Sequence, residues 1–366
     1  MSEIDPETSL PSGRRIVRPA RNARRARRRL AGVGVLAGVI LAVLIVIALS
    51  LHTHLPFGLS DPSASSTHAG TTGPSGPTGP TRAPAGPAVT VKTLASLLAP
   101  ASRIAAVPYG TGGALFLGGY DSLGSPTTAM QSFDGASVQA VGTLSSANAS
   151  AGAVTLNASI YLIGGVSSTI YQVTPTSTTV AGSLPTATSD AAIVAVGGTA
   201  YVIGGYSGAT ELNTIVAYTP GSTPAVVATL PVTLRLAAAT AIGGRVYIVG
   251  GESGGVATSA VYRFDPVTKT VSTFTHLTHA RDREAATTLG GLILVLGGLN
   301  TATGARTRGI YSINPSNGSV HLAGILPVAL SDMTAVRGDG QIIVAGGVGT
   351  TGAASSAIYG VKLAHR

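Results

Sequence analysis

An apolar run that stops on two glycines recurs six times along this chain of 366 residues: LFLGG at 115–119, YLIGG at 161–165, YVIGG at 201–205, YIVGG at 247–251, LVLGG at 294–298 and IVAGG at 343–347. The pairs are Gly118-Gly119, Gly164-Gly165, Gly204-Gly205, Gly250-Gly251, Gly297-Gly298 and Gly346-Gly347, so successive repeats lie 46, 40, 46, 47 and 49 residues apart. A repeat of that length is one supersecondary unit that cannot bury its own apolar faces and must stack on its neighbours. A residue without Cβ at the end of an apolar strand can take positive φ and lead the chain out of a crowded interior. The pairs therefore mark structural positions, and function is expected in the loops they launch.

The third interval shows the order inside a repeat: AAIVAVGG at 191–198, AYVIGG at 200–205, TIVAYTP at 214–220 and PAVVATLP at 224–231. Four short β-branched runs separated by Gly, Pro, Ser and Thr read as four antiparallel strands. Six such sheets stacked around a centre give an all-β, six-bladed β-propeller. One aromatic recurs in the third strand of each blade, at Phe133, Tyr171, Tyr218, Tyr262, Tyr311 and Tyr359, and is expected to wedge between adjacent sheets. The last repeat has a third strand, SAIYGVKL at 356–363, without a fourth, whereas AVTVKTLASLLAP at 88–100 has fourth-strand character ahead of the first blade. An N-terminal strand at 88–95 is thus expected to complete blade six and close the ring, hiding its sheet edges.

These residues resemble the kelch repeat. YQVTP at 171–175, YTP at 218–220, YRFDP at 262–266 and YSINP at 311–315 are similar to its Tyr followed by Asp-Pro, and Leu184-Pro185, Leu230-Pro231 and Leu326-Pro327 to the Leu-Pro before its next blade. The resemblance covers nearly all of 88–366. It departs at the fourth-strand Trp, since the chain has none and carries Val138, Val180, Val227, Val271 or Val320 nearby.

The segment ahead of the repeats is of another kind. Residues 1–30 end in RRIVRPARNARRARRRL, with nine Arg between Arg14 and Arg29. That tail supplies +6 of the chain's +9 net charge, and 88–366 is nearly neutral, with thirteen bases against ten acids. Residues 31–51 carry no charge and as a helix reach roughly 30 Å, enough to cross a bilayer core. Arg on their N-terminal flank predicts an N-terminus in the cytoplasm and everything after Leu51 outside, so the bases are read as topology and lipid contacts, with no nucleic acid as partner. The exit SLHTHLPFG lacks a small-x-small cleavage site, which favours an uncleaved single-pass anchor in the cell membrane. Residues 52–87, with TTGPSGPTGPTRAPAGP at 71–87, have the composition of a flexible tether.

Motifs that look like chemistry are weak. Gly251–Gly255 spells G-x-S-x-G and Gly347–Gly352 spells G-x-G-x-x-G, but both fall between strands, where neither a nucleophile elbow nor a phosphate-binding helix forms. With no Cys, disulfides, thiolate nucleophiles and Cys-ligated metals are excluded, and the resemblance to copper-radical oxidases implies little, since their cross-linked Tyr-Cys pair cannot form. No catalytic set, metal site or cofactor is expected. The densest polar stretch is HLTHARDRE at 276–284, where Arg281 and Arg283, with Arg235 one blade earlier, are candidates for anion or partner binding. From the first glycine of each pair to the third-strand aromatic the spacing is 15, 7, 14, 12, 14 and 13 residues. The short loop of blade two predicts a notch flanked by Tyr120 and Tyr206 as binding anchors.

The reading that follows is a membrane-anchored, extracytoplasmic propeller acting as a binding or protein-interaction module, with a protein or glycan partner on its loops. The family resemblance also implies a second class, a carbohydrate-processing or carbohydrate-binding propeller such as a cofactor-free sugar isomerase. A structural or sensory protein of the envelope is the third.

Overall fold

The computed structural model describes residues 86–364. The Arg-rich tail at 1–30, the membrane span at 31–51 and all of the tether at 52–87 except its last two residues lie outside the described residues. Among the described residues, no helix is long and apolar enough to cross a membrane.

Six four-stranded antiparallel blades form, five of them ordered as the chain runs from the axis outward and the sixth completed by the first strand. Blade one comprises Ala105–Tyr109, Gly113–Leu117, Thr127–Phe133 and Val138–Asn148, and blade two Ala151–Leu156, Ser159–Gly164, Thr169–Thr174 and Ser177–Ser183. Blade three has Ala192–Val196, Thr199–Ile203, Thr214–Tyr218 and Ala225–Thr229; blade four has Ala238–Ile242, Arg245–Val249, Val256–Asp265 and Thr270–Arg281. Blade five is built of Ala285–Leu289, Leu292–Leu296, Gly309–Ile313 and Val320–Ile325. Blade six takes Thr334–Arg337, Ile342–Ala345 and Ala357–Leu363 from the end of the chain, and its outermost strand is Val89–Ser96. That strand pairs antiparallel with Ala357–Leu363, from Val89 opposite Leu363 to Ser96 opposite Ala357. The ring is closed by the two ends of the repeat region, as the missing fourth strand predicts.

The core lies between blades rather than within them. Each of six apolar clusters joins the facing surfaces of two neighbours, such as Ile215 and Leu230 of blade three with Val246 and Phe264 of blade four. The Tyr that opens several glycine phrases belongs to these seams: Tyr161 meets Tyr218 edge-on at 5.8 Å and Tyr201 meets Phe264 at 5.3 Å, each across a blade boundary.

The six third-strand aromatics do not share one register. Tyr171, Tyr262, Tyr311 and Tyr359 stand opposite Leu162, Ile248, Val295 and Val344, two residues before the first glycine, whereas Phe133 and Tyr218 stand opposite Ala114 and Ala200, four residues before it. Positions two apart on a strand point to the same face, so either can supply the wedge. Blade four fills both, with Tyr262 and Phe264 buried.

One leucine is constant. Leu97, Leu144, Leu184, Leu230, Leu277 and Leu326 are all buried, one on each connection from an outer strand to the next inner strand. Each anchors the segment that crosses one face of the propeller, which carries the glycine pairs and is here termed the glycine face.

Candidate functional site: the charged mouth of the glycine face

Six residues after each anchoring leucine, the backbone turns left-handed at a residue that is not glycine. Arg103, Ser150, Asp190, Leu236, Arg283 and Asp332 have φ between 49° and 57°, a region few such residues occupy. The reason is a closed circle of backbone hydrogen bonds. Each of these residues donates its N–H to the carbonyl of its counterpart one blade back, at 2.8 to 3.3 Å, and Arg103 completes the circle on Asp332. The turn aims six side chains at the axis.

The glycine pairs hold this circle in place. The second glycine of each pair donates to the carbonyl two residues before the next circle position, as Gly119 does to Asn148 and Gly298 to Leu330. A Cβ on Gly118 would run into the Asn148 carbonyl oxygen, and one on Gly204 into that of Leu234. The residue after the pair then pairs both ways with the one before the circle position, Tyr120 with Ser102 and Tyr206 with Ser189. Blade two differs: Asn148 donates from its side chain to the Gly164 carbonyl and accepts from the Val166 N–H at 3.3 Å.

Charge collects on this face. Of the 22 charged side chains of residues 86–364, thirteen lie on its loops and connections. They form a network from blade to blade. Arg103 bonds Asp332 and Asp190 at 2.8 and 2.9 Å; Arg283 bonds Asp282 at 2.7 Å and lies 3.6 Å from Asp332 and 3.9 Å from Glu252. Arg235 pairs with Glu252 and, at 3.3 Å, with Glu211. Blade two contributes only the Ser150 hydroxyl, 3.4 Å from Arg103.

The sequence candidates fall unevenly on this frame. Tyr120 and Tyr206 both face the mouth, under Arg103 at 6.0 Å and Arg235 at 5.3 Å. Val166, 55% exposed, lies in the short loop between their blades. Arg235 and Arg283 belong to the network, already matched by carboxylates. Arg281 is buried, bonded to the Gly297 carbonyl and stacked on Tyr311 at 4.5 Å. Arg103, Asp190 and Asp332 are mouth residues that motif reading passes over, although the leucine six positions earlier marks each of them. Three N-x-S sequons occur in the propeller, at Asn148, Asn157 and Asn317; the first asparagine is buried and the others are exposed.

Three hollows follow. A cleft of about 350 Å³ opens between the loops of blades six and one, floored by Arg103 and Asp332 and walled by Tyr120, Asp121, Gly124 and Gly352. Inside the circle a hollow of about 150 Å³ is bordered by its six side chains and by Glu284. Beyond it the bore is walled largely by alanine, including Ala106, Ala153, Ala239, Ala286 and Ala335, and widens to about 500 Å³ toward the opposite face.

Two acids flank Arg283. Asp282 has no exposed surface, and its Oδ2 has no hydrogen-bond partner among the described residues. Burial pushes its pKa up to about 6 against the pull of Arg283, with Glu252 and Asp332 adding to the rise. Glu284 packs against Gly250, both oxygens unpartnered. Burial drives its pKa well above the usual carboxylate range, although Arg281 opposes the shift.

The Kelch motif model matches residues 187–222 and 234–277. The chain matches none of the curated proteins. Its fold is similar to the solved structure of YjhT, with 13% sequence identity and a TM-score of 0.63 over 72% of this chain and 95% of that one. At that identity the likeness speaks to fold alone. Residues 86–364 thus fold as a six-bladed β-propeller, within which 187–222 and 234–277 match the Kelch motif.

Proposed function

We propose that this propeller is a binding module that takes a protein partner on its glycine face and is displayed outside the cell from a membrane anchor. The carrying observation is where sticky side chains sit. Besides the nine of the thirteen charges that are not buried, six of the eleven exposed large hydrophobics lie there, namely Leu98, Leu123, Val166, Val232, Val256 and Val328, together with Tyr120 and Tyr206. Mixed apolar and charged loops on a rigid scaffold suit protein recognition. The direction of the first strand supports the choice of face. Val89 pairs with Leu363, whose strand runs away from the glycine face, so the chain joins the propeller on the opposite side. The glycine face is thereby left clear of the point where the chain enters the ring.

The test is capture of envelope proteins by the full chain, repeated with alanine at Tyr120 and Tyr206. Specific capture that weakens at least tenfold in the double variant is expected, and unchanged capture would sink this docking face. Protease shaving of whole cells checks the topology: a propeller that stays protected contradicts it.

The cleft beside Tyr120 favours one further reading. An aromatic ring next to a paired guanidinium and carboxylate suits a sugar, whose C–H face stacks while its hydroxyls both donate and accept. A glycan array run on the same protein separates the two, since a sugar ligand is lost with Tyr120→Ala alone.

A further inference from the structure

The connection from blade four to blade five is unlike the other five. Immediately before the circle position it has Asp282, where the others have Ser102, Ala149, Ser189, Arg235 and Ser331; immediately after it has Glu284, where the others have Ile104, Ala151, Ala191, Ala237 and Met333. Two buried acids therefore occupy places that, Arg235 apart, small or apolar side chains fill elsewhere. Burying a carboxylate without full hydrogen bonding is costly, and neither acid is needed to make the turn.

Between them, Arg283 is shared unequally among three carboxylates. Its backbone is fixed on both sides, donating to Leu236 and accepting from Asp332. Its guanidinium has one short bond, to Asp282, and two longer approaches, to Asp332 and Glu252. The charged groups around Asp282 are Arg281, Arg283 and Glu284 from its own connection, Glu252 from blade four, Arg306 opposite Leu299, which pairs with Asp282, and Asp332 from the connection into blade six, itself bonded to Arg103. Among the described residues only Arg283 donates to its carboxylate, and Oδ2 has no partner.

We propose that Arg283 is a proton-controlled switch of the mouth. With Asp282 ionised, the guanidinium is held within the connection into blade five. With Asp282 protonated, that charge pairing is lost and the guanidinium passes to Asp332 and Glu252, drawing the connections into blades five and six together. The proton comes from solvent and no other group need change state. The titration lies close enough to neutrality to respond to mild acidification, and the switch operates whether or not a partner docks on this face.

The test uses the full chain, which has no tryptophan, carrying Tyr206→Trp as a reporter beside Arg235. Between about pH 4.5 and 8 its emission is expected to change in one step near pH 6. Asp282→Ser, which borrows the residue of blades one, three and six, is expected to abolish the step or move it by more than about one pH unit. Asp282→Asn serves as a second variant should Ser not fold. Hydrogen exchange, corrected for its intrinsic pH dependence, is expected to show the amides of 330–333 better protected on the acid side in the native chain and not in either variant. A flat native profile, or a step that survives unchanged in both variants, overturns the proposal.

Discussion

Arg103 reaches Asp332 twice, from its backbone N–H to the carbonyl and from Nε to Oδ1, both at 2.8 Å and across 229 positions of sequence. The pair ties the connection into blade one to the connection into blade six. It therefore reinforces, on the glycine face, the closure made at the rim by Val89–Ser96. Arg103→Ala leaves Asp332 partly unpaired in a largely buried site and is expected to destabilise the fold by about 2 kcal/mol. Arg103→Lys recovers little, because one ammonium cannot reproduce the fork shared between Asp332 and Asp190. Urea unfolding of the variants, with Asp332→Ala completing a double-mutant cycle, gives the coupling.

The glycine pairs differ sharply in cost from loop glycines. Gly118 has φ 61° and no room for Cβ beside the Asn148 carbonyl, while Gly124 has φ 77° and open space around it. Gly124→Ala is expected to cost about 1 kcal/mol, for backbone strain alone. Gly118→Ala adds displacement of backbone that the circle needs and is expected to exceed about 3 kcal/mol. Equal losses in thermal unfolding would contradict the structural role given to the pair.

Stability should fall as the medium turns from acid to neutral. Asp282 is raised from the ordinary 3.8 to about 6, so the folded state holds its proton more tightly than the unfolded chain. Its contribution is complete below about pH 4 and lost as pH rises through about 6. Asp282→Asn is expected to flatten that part of the profile and to exceed the native chain by on the order of 2 kcal/mol at pH 8. Calorimetry across the range reads it directly.

Removing residues 88–96 uncovers Ala357–Leu363, whose Ile358, Tyr359 and Val361 are buried in the closed ring. An open edge of this kind recruits another chain. Light scattering on the shortened protein is expected to show self-association, and a well-behaved monomer would mean that closure does not rest on this strand.

The anchoring leucines offer a test spread over all blades. Leu326 has no exposed surface and Leu144 5%. Truncating either to alanine should cost about 3 kcal/mol and loosen the neighbouring circle position, seen as faster amide exchange at Asp332 or Ser150 respectively.

The sequence made the ring legible because its devices repeat. The glycine pairs and the unpaired last blade give blade number, register and closure, and Val89–Ser96 lies within one residue of the expected strand. The aromatic positions were less legible, since Phe133 and Tyr218 are displaced by two residues and a count of rings cannot distinguish same-face positions. The mouth was least legible. Its six circle residues, Arg, Ser, Asp, Leu, Arg and Asp, have no common chemistry, because a backbone conformation defines them and no side chain is required. Arg281 and Arg283 look equivalent in HLTHARDRE, yet the reversal of the chain between them buries one and aims the other at the axis.

The circle of backbone hydrogen bonds separates what builds the mouth from what the mouth displays. Each of its six positions is held by main-chain atoms, so the letters written there can be exchanged with little call on the scaffold, within the limits of a left-handed turn. The present text of that six-letter word ties itself together with its own charges. A small set of substitutions at 103, 150, 190, 236, 283 and 332 amounts to a combinatorial library in which the same ring is reprogrammed for a different ligand.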